Sequence, residues 1–271
     1  MAVNKKTPVK KKKTVSVKNK NKKSMMPGII LVISALLLGS LIIILVYQTR
    51  KITEISGSGD PANRKMEGSY PLPSELITSD LNTYFGYTDI PDFIFTKMQG
   101  ASFTEDCPVA REDLRYMTVL YWGTDNAAHK GELIVNKSIA PEVSEIFYQL
   151  YKASYPIESV KLVDEYGGND EVSMANNNTS CFNARKVKGS DTWSMHAYGL
   201  AIDINPLYNP YVGADGSVLP VMSERYANRD DRFIMKIDAD DYAYNLFAEH
   251  GFTWGGSWEK VKDYQHFEKQ Q

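Results

Sequence analysis

The chain has 271 residues, with 31 Lys and Arg against 33 Asp and Glu, for a formal net charge of −2. Residues 1–27 carry ten lysines and no acid, so the remainder stands at −12. An acidic body argues against nucleic-acid binding, which needs a basic face for phosphates, and the apolar run after the lysines argues against a wholly soluble protein.

Residues 28–47 (GIILVISALLLGSLIIILVY) hold no charge. As a helix they span about 30 Å, the thickness of a bilayer's hydrocarbon core. The run is longer than a signal-peptide core and no small-residue cleavage site follows it, which predicts an uncleaved transmembrane anchor. Ten lysines precede it, and only Arg50 and Lys51 follow closely. That asymmetry puts the N-terminus in the cytoplasm and the rest outside, as in a single-pass cell-membrane protein. The chain divides into a basic cytoplasmic tail (1–27), an anchor (28–47), a linker (48–70) and an extracellular domain (71–271). The linker includes the polar, Gly- and Ser-rich stretch ISGSGDPANRKMEGS, which reads as a flexible tether. The last segment is long enough for one domain with its own core.

Within that domain, Tyr116 to Trp122 (YMTVLYW) and Gly131 to Lys137 (GELIVNK) read as strands. Pro141 to Ala153 reads as a helix with Pro in its first turn. Its Val143, Ile146, Phe147, Leu150 and Tyr151 fall at helical spacing and face the core. Ser159 to Asp164 looks like a short strand, and Glu165 to Ser180 is polar and reads as a loop. Leu200 to Ile204 is strand-like, with Leu200, Ile202 and Ile204 facing inward. Ala239 to His250 is helical, with Gly251 placed for a left-handed cap. A final strand surrounds Phe267. Strands and helices without regular alternation indicate an α+β domain. Cys107 and Cys181 are too few for a four-cysteine metal site and form no C-x-x-C. Outside the cytoplasm they either pair or remain as thiols.

Four histidines are present, at 129, 196, 250 and 266. His129 falls in a predicted loop and is read as solvated, and His250 ends a helix. His196, Asp203 and His266 offer two nitrogens and one oxygen, a set that suits a catalytic zinc with one place left open. His196 and Asp203 are seven positions apart, too far for one ion along a straight helix or strand, so the chain must bend, and Gly199 permits it. Taken alone, these residues fit ordinary core or surface positions as well as a metal site. Trp254 and Trp258 fit either a cleft wall or a core.

The segment Ser194-Met195-His196-Ala197-Tyr198-Gly199-Leu200-Ala201-Ile202-Asp203 resembles an S-x-H-x-x-G-x-A-x-D signature. That signature belongs to a family of peptidoglycan-cleaving zinc peptidases. The family holds VanY-type D-alanyl-D-alanine carboxypeptidases and L-alanyl-D-glutamate endopeptidases. The end of the chain (GFTWGGSW, then Asp263-Tyr264-Gln265-His266-Phe267-Glu268) is similar to the endopeptidase-like branch, and Asn178 to Arg185 resembles the family's arginine-bearing segment. Together the similarity spans roughly residues 110–271. It implies zinc (Zn2+) held by His196, Asp203 and His266, with Asp263 as the catalytic acid/base. Arg185 matches an arginine that contacts substrate or the developing oxyanion, and Ser194 a substrate-binding or positioning serine. The fold implied is the mixed zinc domain shared with Hedgehog proteins and DD-peptidases, a small antiparallel sheet with flanking helices. The expected partners are peptidoglycan stem peptides and the membrane, with no nucleic acid. Ser257 departs from the pattern, where many relatives carry an acid. The alternative is an inactive wall-binding or scaffold domain on the same fold. The H-x-H pair of lysostaphin-like wall hydrolases is absent.

Overall fold

A computed structural model of the chain describes residues 81–270. The predicted basic tail, anchor and linker, and the first ten residues of the predicted extracellular domain, lie outside the described residues. Among the described residues no helix is long and apolar enough to cross a membrane.

The centre of the fold is a long hairpin. Strands β2 (Leu114–Trp122) and β3 (Ala128–Asn136) pair antiparallel over nine positions, and the short β1 (Gly86–Thr88) adds on the outer side of β2. Side chains alternate across such a ribbon. Met117, Val119, Tyr121, Leu133 and Val135 enter the main core. Leu114 and Ile134 point the other way, into a second cluster with Ile94 and Met98 of helix α1 (Asp92–Met98). Helix α2 (Ala140–Lys152) covers the main face with Val143, Ile146, Phe147 and Leu150, each buried, as its spacing predicts. Each such side chain, fully removed from water, contributes about 1.5–3 kcal/mol.

The remaining strands are short. The pair β4 (Ser159–Val160) and β5 (Asn178–Thr179) is parallel. A second antiparallel sheet has the order β6 (Ala201–Asp203), β11 (His266–Glu268), β9 (Thr253–Trp254). A third runs β10 (Lys262–Asp263), β7 (Tyr211–Val212), β8 (Val218–Leu219). The fold is thus mixed, as expected, but with three small antiparallel sheets where one was predicted. Helix α4 (Tyr242–Glu249) starts at Asp241, whose carboxylate accepts from the Ala243 N–H at 2.8 Å. Gly251 follows it at φ +78°. Phe247 of α4 stacks on Phe267 of β11 with ring centres 4.3 Å apart, so this helix backs the strand that carries His266.

Three expectations need correction. The polar stretch 165–180 is not a loop throughout: it holds helix α3 (Asp170–Ala175), capped by Asn169, whose side chain accepts from the Val172 N–H at 3.1 Å. Only Ser173 and Met174 of that helix are buried, so its apolar stripe is too thin to read by periodicity. His129 is not in a loop; it sits in β3, half-exposed, stacked on Tyr121 and 2.9 Å from Asp125. The strand predicted at 159–164 ends after Val160, and a 3₁₀ turn (Val163–Tyr166) follows. The two cysteines are free thiols. Cys181 belongs to the main core and Cys107 packs on the second cluster, so different apolar layers hold them.

Candidate metal centre

Two pieces of local structure bring the three predicted ligands together. A 3₁₀ turn (Met195–Tyr198) carries His196, and Ser194 caps it, its Oγ accepting from the His196 N–H at 3.3 Å. The turn stops at Gly199 with φ +66°. A side chain there would be strained and would bring a Cβ within 2.8 Å of the Asn136 backbone N. The chain therefore bends at Gly199 and enters β6, as the seven-residue spacing requires. In the β6–β11 ladder, His266 lies directly opposite Asp203. Residues paired across a ladder share a face, so these two side chains meet. Their neighbours Ile202 and Phe267 enter the core.

His196 Nε2 lies 3.2 Å from Asp203 Oδ1, His266 Nδ1 lies 3.1 Å from the same oxygen, and the two ring nitrogens are 3.2 Å apart. All three residues are at most 5 % exposed. The outward ring nitrogens have their own partners. His196 Nδ1 sits 2.5 Å from the Cys181 carbonyl oxygen, and His266 Nε2 sits 3.1 Å from Glu268 Oε2. Those two acceptors can keep the ring N–H groups on the outside, so that loss of the inward protons leaves lone pairs facing the centre, the arrangement that orients metal-bound histidines. A tetrahedral ion with bonds of about 2.0–2.2 Å spaces its ligand atoms about 3.3–3.6 Å apart. The observed triangle needs to open by only a few tenths of an ångström. Among the described residues this is the cluster of His, Cys, Asp and Glu side chains able to hold a metal ion.

The local field agrees. Burial pulls the His266 ring down, but Asp203 and Glu268 outweigh it and push it up to about 10. Burial works against the Asp203 carboxylate, yet His196 and His266 hold it well below the usual range. The surroundings favour positive charge at this spot, and a divalent ion supplies it in competition with the proton.

Asp263 enters from β10 and is joined to β11 by the turn Tyr264-Gln265. Gly255 makes room: a Cβ there would lie 2.7 Å from the Asp263 carbonyl oxygen and 2.9 Å from its Cβ. Burial pushes the Asp263 carboxyl up to about 7, against the pull of His266. Its Oδ1 has no hydrogen-bond partner among the described residues. A carboxyl near neutrality with a free oxygen suits proton transfer.

A cleft of about 470 Å³ opens onto this centre, and Arg185, Ser194, His196, Asp263, His266 and Glu268 all line it. The structure thus gathers every predicted site residue around one cleft, with Asp203 just beneath. Arg185 is held by Asp170, 2.9 Å from Nη2 to Oδ2. The Ser194 hydroxyl is occupied as the cap of the His196 turn. The two tryptophans divide: Trp258 lines the cleft with its ring 5.4 Å from that of His266, whereas Trp254 is in the core and donates to the Tyr264 carbonyl at 2.9 Å. His129 and His250 take no part; His250 Nδ1 meets the Leu246 carbonyl at 2.9 Å.

Sequence reasoning missed three groups. Glu268 was legible: two residues after His266 on a strand, it shares that residue's face. Asp170 lay in the stretch taken as loop. The Cys181 carbonyl is backbone and leaves no trace in residue type.

Searches of curated proteins and of solved structures found no match. A family model does match residues 188–269, under a third of the chain, a stretch that holds His196, Asp203, Asp263, His266 and Glu268 and leaves out Arg185 and Asp170. That model is described as D-alanyl-D-alanine carboxypeptidase, and the match supports a peptidoglycan-related peptidase.

Proposed function

We propose that this chain is a membrane-anchored, zinc-dependent peptidase that hydrolyses peptidoglycan stem peptides. The bond cut is either the L-Ala–D-Glu bond or the terminal D-Ala–D-Ala bond. The Asp263-Tyr264-Gln265-His266 segment favours the first, and the matched family description favours the second. The observation that carries the proposal is the buried His196–Asp203–His266 triangle at 3.1–3.2 Å, with a near-neutral carboxyl beside it on one cleft. The His2Asp set suits zinc among the divalent ions.

Zinc, when bound by these three residues, polarises a scissile carbonyl and lowers the pKa of water. The remaining work falls to the chain. Asp263 takes the proton from the attacking water at a carboxylate oxygen and later passes it to the leaving amine. Arg185 presents fixed positive charge towards the oxyanion or a substrate carboxylate. Ser194 keeps the His196 turn in place through its cap. Residues 28–47 hold the domain at the outer face of the cell membrane, within reach of the wall.

The test is mass spectrometry of muropeptides digested by the full-length protein in detergent, with and without a chelator. Release of either a peptide that begins with D-Glu or a terminal D-alanine, abolished by chelation and restored by zinc, is the expected result. No product from any bond, with metal confirmed bound, defeats the proposal and favours an inactive wall-binding domain.

A further inference from the structure

One wall of the cleft is built without any residue of the metal-binding motifs. Helix α3 begins at Asn169, whose side-chain cap fixes Asp170 as the first helical residue. Asp170 Oδ2 forms an ion pair with Arg185 Nη2 at 2.9 Å, and one residue on, Glu171 accepts from Lys188 Nζ at 2.9 Å. Two consecutive acids at the start of α3 thus clasp the segment 185–188.

The backbone of Arg185 is already fixed to the metal centre. Its carbonyl accepts from the N–H of Ser194, the residue that caps the His196 turn, and the Asn183 N–H donates to the His196 carbonyl, each at 3.1 Å. The guanidinium is different. Among the described residues its ion-pair partner is Asp170, and its buried Nε has no hydrogen-bond partner. Both side chains are half-buried, 30 % and 23 % exposed, so the pair is less open to water than one on the surface. A long arginine without a partner samples many rotamers, and ordering it at the moment of reaction slows the reaction.

We propose that Asp170 is the positioning residue for Arg185: it holds one edge of the guanidinium against α3, so that the remaining terminal N–H groups are available to a substrate oxygen in the cleft that Arg185 lines. The proposal rests on the peptidase reading above.

The experiment is a double-mutant cycle on the full-length, metal-loaded protein with muropeptides as substrate. Asp170→Asn is expected to lower kcat by about 10- to 100-fold, as a misplaced catalytic group does. Metal content and Tm should stay at the wild-type values. In the Arg185→Ala background the same change should cost nothing further. The 15Nε–1H signal of Arg185 should be ordered in the wild type and motionally averaged in Asp170→Asn, a readout that a merely structural role for Asp170 would leave unmoved. Wild-type kcat in Asp170→Asn overturns this inference alone, as does an equal loss with and without Arg185 or an equally ordered Arg185 signal. A metal-loaded wild type that cuts no stem peptide overturns this inference and the peptidase reading together.

Discussion

The two walls of the cleft are built in different ways. On the side of the candidate metal centre, the candidate ligands are set by backbone register: His266 faces Asp203 across a ladder, and Phe267 beneath it stacks on Phe247. Its His196, Asp203 and His266 side chains are almost fully buried and answer one another's charge. On the α3 side, side-chain ion pairs set the geometry, from the half-buried Asp170–Arg185 pair to the exposed Glu171–Lys188 pair. The first wall resists adjustment, because moving a ligand means breaking a ladder and a packed core. The second wall is held by contacts that water and salt weaken. On the proposed function, metal and proton chemistry lie on the rigid wall, and the arginine that meets the substrate or the oxyanion lies on the adjustable one.

Three experiments would break or sharpen that contrast. The largest effect is expected for Asp263→Asn, which should lower kcat by about 10²–10⁴-fold while metal stays bound. The wild type should also lose turnover as the pH falls through the Asp263 carboxyl's titration. Asp263 acts as a base only when ionised; burial raises its carboxyl, and a bound divalent ion pulls it back down. Steady-state kinetics across pH should show that the variant lacks the acid limb. A variant as fast as wild type would take the proton chemistry off the metal wall.

Next is Glu268→Ala. Without its outer acceptor the His266 ring loses its set tautomer, and metal affinity should fall about 10- to 100-fold in a chelator-competition titration. Unchanged affinity would mean that the β11 backbone alone orients the ligand. The smallest effect is that of salt. Raising the ionic strength from about 0.05 to 0.5 M shortens the screening length severalfold. It should lower kcat/KM by no more than about fivefold, the worth of a partly exposed ion pair, and leave metal affinity unchanged. Equal sensitivity in both quantities would erase the distinction between the walls.

Much of the core was legible in the residues. The β2–β3 hairpin and α2 follow from runs of β-branched and aromatic residues and from five apolar positions at helical spacing. Those signals are local, and burial of one face preserves them. Helix α3 was hidden because only two of its six residues are buried. It is specified by the Asn169 cap and two acids in its first turn, a weaker signal than an apolar stripe. His129 was misplaced because Ala128 and His129 carry little strand character, yet they pair with Trp122 and Tyr121 across the hairpin.

For the site, the sequence by itself determined the chemistry on offer: two histidines, the two aspartates 203 and 263, an arginine, and a glycine where the chain has to bend. It also set the charge division between a lysine-rich first segment and an acidic remainder. The tertiary structure decided which of these groups meet. Asp203 and His266 are 63 positions apart and His196 and His266 are 70, yet each pair of ligand atoms comes within 3.2 Å. No local pattern encodes such contacts; they arise from strand register and from the packing behind it. The same holds for Glu268, the Cys181 carbonyl and Asp170, which contact the candidate ligands and the arginine from outside. Residue type tells what a side chain is able to do, and only the folded backbone determines what it does it to.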